Sequence, residues 1–202
     1  MEEIILRHEN KNEYHLIEEM IRDIFCDIYK PGACEHLVVH NLRNDNSYIP
    51  ELSYIALINN EIVGAIYYSF ATINDKKVLY LGPIGVKKEY QNKHIGAKLI
   101  NFTSDLAKNK GYDLIFLTGN PDYYHRFGFT TATKLGFTLP YIDKGEEAPF
   151  FMVKILNDND ISTYKGEVLE PSVFNVNEEE LIEFDKQFKK KTKHKLDTQI
   201  FN

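Results

Sequence analysis

The chain has 202 residues, 24 of them basic and 30 acidic, for a formal net charge of −6. That length buries the core of one domain of ordinary size, with residues to spare for an extension. The acidic balance speaks against general nucleic-acid binding, which needs clustered Lys and Arg on phosphates. No run approaches the roughly 18 apolar residues of a membrane span. The start, Met1-Glu2-Glu3, lacks the basic region of a signal peptide. Cys26 and Cys34 form no C-x-x-C pair and cannot make a disulfide framework. A soluble, cytoplasmic protein with reduced thiols and no membrane or nucleic-acid partner is expected.

In chain order, Ile4–Leu6 reads as a short strand. Asn10 and Glu13 form a capping-box pattern. Ile17, Met20, Ile21, Ile24, Phe25 and Ile28 then recur at helical spacing, up to a stop at Pro31-Gly32. A second helix is expected over Cys34–Arg43. It holds Cys34, His36 and His40, but no fourth ligand completes a structural zinc set, so no metal is expected. Tyr54–Ile58 and Ile62–Ile73 read as hairpin strands about Asn59-Asn60, residues that accept positive φ. Asp75-Lys76-Lys77 is expected to turn the chain into a strand over Val78–Val86. Gly82-Pro83 interrupts that strand, and because proline donates no ladder hydrogen bond, a bulge or splay is expected there.

Ile95, Leu99, Phe102 and Leu106 form a helical stripe that Gly111 ends. Leu114–Leu117 is wholly apolar, as suits a parallel strand buried on both faces. Residues 78–117 therefore read as a βαβ unit with a right-handed crossover. Asn120-Pro121 opens a short helix, Asp122–Phe127, closed by Gly128. Phe129–Thr131 and Phe150–Ile155 are expected as closing antiparallel strands. Beyond Leu156 the composition turns polar, which suggests a domain over 1–156 and an extension over 157–202. That extension is expected to end in a helix, Asn177–Lys191, with Glu178–Glu180 and Lys189–Lys191 matched to the helix dipole.

Two stretches carry chemistry. From Pro83 to Ala97 the chain leaves a strand, makes a polar loop and enters a helix. The first N–H groups of a helix have no internal acceptor and form, with the positive helix end, an anion site. Gly96 allows a bulky anion close to the backbone. Lys87, Lys88, Lys93 and Lys98 against Glu89 give this segment a formal +3 within a chain of −6. Taken alone, an ordinary turn with surface lysines fits equally well. The second stretch, Gly119–Phe129, follows the neighbouring parallel strand. Both stretches thus lie at strand C-terminal ends, where open α/β sheets bind ligands.

Together these stretches resemble the GNAT N-acetyltransferases. Gln91-Asn92-Lys93-His94-Ile95-Gly96 matches the family's Gln/Arg-x-x-Gly-x-Gly/Ala motif, with His94 in place of its first glycine. Tyr124-His125-Arg126-Phe127-Gly128-Phe129 matches its Tyr-x-x-x-Gly-Phe, and the Tyr-Tyr-x-Arg-Phe-Gly-Phe form is most similar to the bacterial YhbS-like branch. The resemblance spans residues 4–156, and residues 166–174 follow a tail pattern of that branch. It implies a mixed α/β fold, with a GNAT-like central mixed sheet, a splayed parallel strand pair, flanking helices and a C-terminal extension.

The resemblance also implies direct transfer of an acetyl group from acetyl-CoA to a primary amine, without a metal. Backbone groups of Ile84, Gly85 and Val86 are then expected on the pantetheine arm, with the Val86 N–H on the thioester carbonyl. The amides of Gln91, Asn92, Lys93, His94, Ile95, Gly96 and Ala97 are expected on the pyrophosphate. Tyr124 is the expected general acid for the departing thiolate. His94 either sets the loop further from the cofactor or itself contacts a phosphate. Leu117 stands where many relatives carry Asn, so that contact is not expected. A small-molecule amine is the preferred acceptor; a protein lysine, a protein N-terminus and a noncatalytic acetyl-CoA sensor are the alternatives. No general base declares itself among Glu51, His125, Glu146 and Glu147. The oligomeric state is open, a homodimer included.

Overall fold

The computed structural model describes residues 2–143, 145–157, 161–197 and 199. Its strands are β1 (Ile5–Arg7), β2 (Tyr54–Ile58), β3 (Glu61–Ile73), β4 (Lys76–Val86), β5 (Leu114–Thr118), β6 (Thr130–Thr131), β7 (Phe137–Thr138), β8 (Phe151–Ile155) and β9 (Gly166–Glu167). Seven of them form one sheet in the order β1-β2-β3-β4-β5-β8-β6, and β7 pairs with β9 apart from it. The pair β4–β5 is parallel, and every other pair in the large sheet is antiparallel.

Tight turns of Asn and Asp build the first half. Asn59 and Asn60 take φ of 49° and 65° between β2 and β3. Asn74 and Asp75, at 47° and 61°, do the same between β3 and β4. This second turn comes earlier than the expected Asp75-Lys76-Lys77: Lys76 and Lys77 already pair with Ile73 and Thr72. Short polar side chains tolerate the left-handed region that lysine avoids.

Helix α1 (Tyr14–Phe25) follows a turn in which the Asn10 N–H donates to Glu13 Oε2 at 2.8 Å. It ends well ahead of Pro31-Gly32. Asp27 adopts φ 61°, and its carboxylate accepts the N–H groups of Gly32 at 2.7 Å and His194 at 3.0 Å. A side chain therefore closes this helix, and Ile28 lies outside the buried stripe, half exposed. In α2 (Glu35–Leu42), the two histidines meet acids from different elements. His36 Nε2 lies 3.0 Å from Asp185 and His40 Nδ1 3.0 Å from Glu18. Burial lowers the His36 pKa to about 4, so a neutral imidazole N–H donates to Asp185. Arg43 ties both helices to the sheet through Glu9 at 2.8 Å, Glu18 at 2.5 Å and the Tyr67 hydroxyl at 3.2 Å.

Side-chain alternation along the strands divides the core between two faces. Helix α3 (Ile95–Asn109) covers Ile66, Tyr68, Leu79, Leu81 and Leu117. Helices α1 and α2 cover Ile55, Leu57, Ala65 and Tyr67 on the other face. Further along that second face, Tyr80, Phe116 and Phe151 pack with Val168 of the tail. After the short helix α4 (Pro121–Tyr124), the last helix is α5 (Glu178–Asp185), capped by Asn177 accepting the Glu180 N–H at 3.1 Å.

The expected helix through Lys191 stops at Asp185. Arg22 holds the Asp185 carboxylate at 2.8 Å and donates to the Lys189 carbonyl at 2.9 Å, while Lys191 pairs with Asp23. Lys191 of the basic run thus lies on α1 rather than on its own helix end. Among the described residues no helix is long and apolar enough to cross a membrane.

Candidate active site

β4 and β5 pair only at Leu79↔Ile115 and Tyr80↔Phe116, then part. Gly82-Pro83 lies just beyond. The β3–β4 register moves from Tyr68↔Leu81 to Ile66↔Ile84, so two residues of β4 oppose Tyr67 alone. This is the bulge expected where proline lacks a ladder N–H, and it bends the strand that carries it. Past the bulge β4 remains on β3 through Ile84↔Ile66, Gly85↔Ala65 and Val86↔Gly64. The Lys87 N–H donates to Val63 O at 2.9 Å. Strand alternation then turns the Ile84 and Val86 backbone groups the other way, toward the gap left by β5.

The turn into α3 bends through Asn92 and His94, at φ 61° and 62°. The first helical bond of α3 runs from the Lys98 N–H to His94 O. Among the described residues, no acceptor meets the N–H groups of Asn92, Lys93, His94, Ile95, Gly96 and Ala97. Gln91 differs from them. Its N–H donates to Lys88 O at 3.3 Å and its side-chain amide to Val86 O at 3.1 Å, fastening the loop to the strand. The lysines are also partly committed. Lys87 pairs with Glu61 at 2.6 Å, Lys98 donates to Ile4 O at 2.5 Å, and Lys93 lies 4.8 Å over the Tyr90 ring.

His94 occupies a left-handed position where a glycine is at ease, and L-residues lose roughly 1–2 kcal/mol there. Its side chain is exposed. His94→Gly should therefore raise stability, by about 1 kcal/mol, or roughly 2–4 °C in Tm for a chain of this size. Thermal unfolding checks this. A lower Tm would mean that the imidazole holds the loop.

The two tyrosines of α4 diverge. A Cβ at Gly96 would lie 2.5 Å from the Tyr123 hydroxyl, so Tyr123 reaches the start of α3. The Arg126 guanidinium covers its ring at 4.2 Å. The Tyr124 ring instead fills the space over Gly119, where a Cβ would lie 2.5 Å away, and meets Phe129 edge-on at 5.7 Å. Burial pushes the Tyr124 phenol pKa far above its ordinary value, with smaller contributions from Tyr29, Tyr123 and Tyr68. Its hydroxyl meets no hydrogen-bond partner among the described residues, and the proton is held at any ordinary pH.

Of the candidate bases, Glu51 stands beside Tyr112, near the opposite end of β5. His125 is exposed, Glu146 accepts the Asp143 N–H at 3.3 Å, and Glu147 pairs with Lys134 at 2.8 Å. The fold adds a carboxyl that spacing does not reveal. Burial raises the pKa of Glu35, which accepts the Cys34 N–H at 2.9 Å and is felt electrostatically by Tyr29.

A mixed sheet opened between two parallel strands, with uncovered β4 backbone and acceptor-free amides near the opening, is an α/β fold open at the strand C-terminal ends, where such sheets usually bind ligands. The model of the Acetyltransferase (GNAT) family matches residues 18–129, and the chain belongs to that family of acetyltransferases. The uncharacterized N-acetyltransferase YjhQ of Escherichia coli (strain K12) is 31% identical over 124 residues, 59% of this chain and 68% of the relative. N-alpha-acetyltransferase 30 of Schizosaccharomyces pombe is 29% identical over 124 residues, 58% of this chain and 82% of the relative. The crystal structure of the GNAT family N-acetyltransferase YhbS from Escherichia coli, in complex with CoA, has a TM-score of 0.77 at 21% identity. It covers 87% of this chain and 94% of its own. The expected family and the expected splayed mixed sheet are both borne out.

Proposed function

We propose that this acetyltransferase moves the acetyl group of acetyl-CoA directly to the primary amine of a small molecule. The observation that carries the reading is the run of N–H groups from Asn92 to Ala97, without an acceptor among the described residues, beside the Ile84–Val86 edge that β5 leaves uncovered. A run of amides at a helix start suits a pyrophosphate, and an unpaired strand edge suits the amide groups of a pantetheine arm. Acetyl-CoA would supply the acetyl group already activated as a thioester. In this reading the Val86 N–H donates to the thioester carbonyl oxygen, an oxyanion-type contact. Tyr124 holds the proton that the departing sulfur takes. Gln91 orients the loop rather than binding through its own committed N–H.

The acceptor amine must be neutral to attack, and only about one lysine-like amine in a thousand is neutral at pH 7.4. Holding amine and thioester together contributes most, since well-oriented groups reach effective molarities of about 10⁵–10⁸ M. Cys26 and Cys34 both stand free, which fits the cytoplasmic setting of this proposal. The likeness to N-alpha-acetyltransferase 30 favours a second reading, in which a protein N-terminal amine is the acceptor. Acetyl-CoA consumption over small amines, free N-terminal peptides and lysine peptides separates the readings. Turnover with a small amine is expected. Consumption with peptides alone selects the second reading, and binding without consumption by any amine makes the protein a sensor.

A further inference from the structure

The C-terminal extension crosses the sheet face opposite α3 at the point where β4 and β5 part. Leu169 is stitched to Thr72 by two backbone bonds of 3.0 and 2.8 Å, and the Val168 N–H donates to Thr138 O at 2.8 Å. The Phe174 ring meets Tyr80 edge-on at 5.4 Å and stands 3.4 Å from where a Gly82 Cβ would be. Between these anchors lies Glu170. The hydroxyl of Tyr80 donates to its Oε1 and that of Tyr141 to its Oε2, the latter at 3.2 Å. Tyr80 is the last β4 residue paired with β5, and its hydroxyl lies 3.5 Å from Oγ1 of Thr118, the last residue of β5. The carboxylate therefore sits at the fork of the two strands.

Its partners are unusual for this protein. Glu9, Glu13, Glu18, Asp27 and Asp185 each face an arginine or histidine. Glu170 is half-buried and meets no cation among the described residues. A carboxylate offers about four lone-pair positions, and each phenol donates one proton. Roughly half of the acceptor capacity is thus left over. Burial, then the Glu170 charge, holds the Tyr80 phenol protonated as a donor. A partly desolvated carboxylate lacking a counterion favours a cation strongly.

We propose that Glu170 recognises the acceptor, and that the acceptor is a small amine carrying a second, cationic group. This rests on the acetyl-transfer reading, in which the acceptor reaches the thioester through the opening between β4 and β5. The attacking nitrogen must be neutral, and a nearby carboxylate favours its charged form. The charge that Glu170 meets therefore belongs to another group of the acceptor, such as the far ammonium of a diamine.

The test compares the full chain with Glu170→Gln, using 1,4-diaminobutane as the charged acceptor and 4-methylaniline as one uncharged at pH 7.4. For the diamine, KM should rise roughly tenfold or more with kcat little changed, the usual result of removing one side of a desolvated charge pair. Kinetics with 4-methylaniline and the Kd for acetyl-CoA should stay as they are. Glu170→Asp keeps the charge and should keep the preference for the diamine, which secures the test if the Gln variant folds poorly. Equal changes for both acceptors, no preference in the parent protein, or loss of preference in the Asp variant would overturn the proposal. Calorimetric binding of 1,4-diaminobutane to the CoA-saturated protein supplies a readout free of turnover. If Glu170→Gln removes that binding while neither amine is acetylated, the recognition site stands and the transfer reading fails.

Discussion

Tyr124→Phe should lower turnover by roughly 10²–10⁴, the range for a lost general acid, with little change in acetyl-CoA affinity. The substitution removes one oxygen and keeps the ring that packs over Gly119 and against Phe129, so α4 should keep its place. A group acting mainly in the transition state affects kcat and kcat/KM together. The raised pKa of Tyr124 makes it a weaker acid than a free phenol. The same burial destabilises the thiolate that receives the proton, so the mismatch between a phenol near 10 and a thiol near 8.5 does not widen by the full shift. Because the folded pKa is raised, Tyr124 should lose no proton between pH 7 and 10, and it should place no falling limb on the rate in that window.

Tyr123→Phe is the control. Its hydroxyl stands over Gly96, among the amides proposed for the pyrophosphate, so its loss should alter acetyl-CoA affinity more than kcat. Equal, small losses of kcat in both variants would remove Tyr124 from the acid role.

Gly96→Glu should weaken acetyl-CoA binding by roughly 10²-fold or more while the fold survives. A Cβ there falls 2.5 Å from the Tyr123 hydroxyl, so the tyrosine must move. The carboxylate would also stand among the amides proposed to hold the pyrophosphate, and like charges set against each other cost several kcal/mol. Yet a Glu in the first turn of a helix is favoured by the dipole, by about 0.3–1 kcal/mol, so α3 should form as before. Gly96→Ala separates the two causes: it keeps the steric conflict without the charge, and its loss of affinity should be smaller. Thermal unfolding and calorimetric titration measure both halves. A Glu variant that folds and binds like the parent would move the phosphate site elsewhere.

The elements that were legible in the sequence were those whose signal is local and periodic. The stripe from Ile95 to Leu106, the apolar run Leu114–Leu117 and the missing N–H of Pro83 sufficed for the βαβ unit and its bulge. What stayed hidden depends on groups distant in the chain. The end of α1 is set by the Asp27 carboxylate binding the N–H of His194, far along the sequence. Asp185 ends its own helix bonded to Arg22 and His36, and of the basic run beyond it Lys191 pairs with Asp23 of α1. The net +3 of the loop is overstated, because Glu61 of β3 sits on Lys87.

Gly96 is the instructive case. Its position suggests room for an anion, and the room its missing side chain leaves is also needed by the hydroxyl of Tyr123. Gly119 gives no motif signal, yet the Tyr124 ring requires it. Glu170 meets Tyr80 across 90 residues of chain, and no spacing rule reaches that far.

Calorimetric titration of acetyl-CoA into the intact protein tests the central claim most directly. The expected result is saturable one-to-one binding, with a stabilisation of about 2.7 kcal/mol at roughly 100 times the Kd, because the folded state alone binds the ligand. The result that would contradict it is no heat and no shift in Tm at millimolar acetyl-CoA.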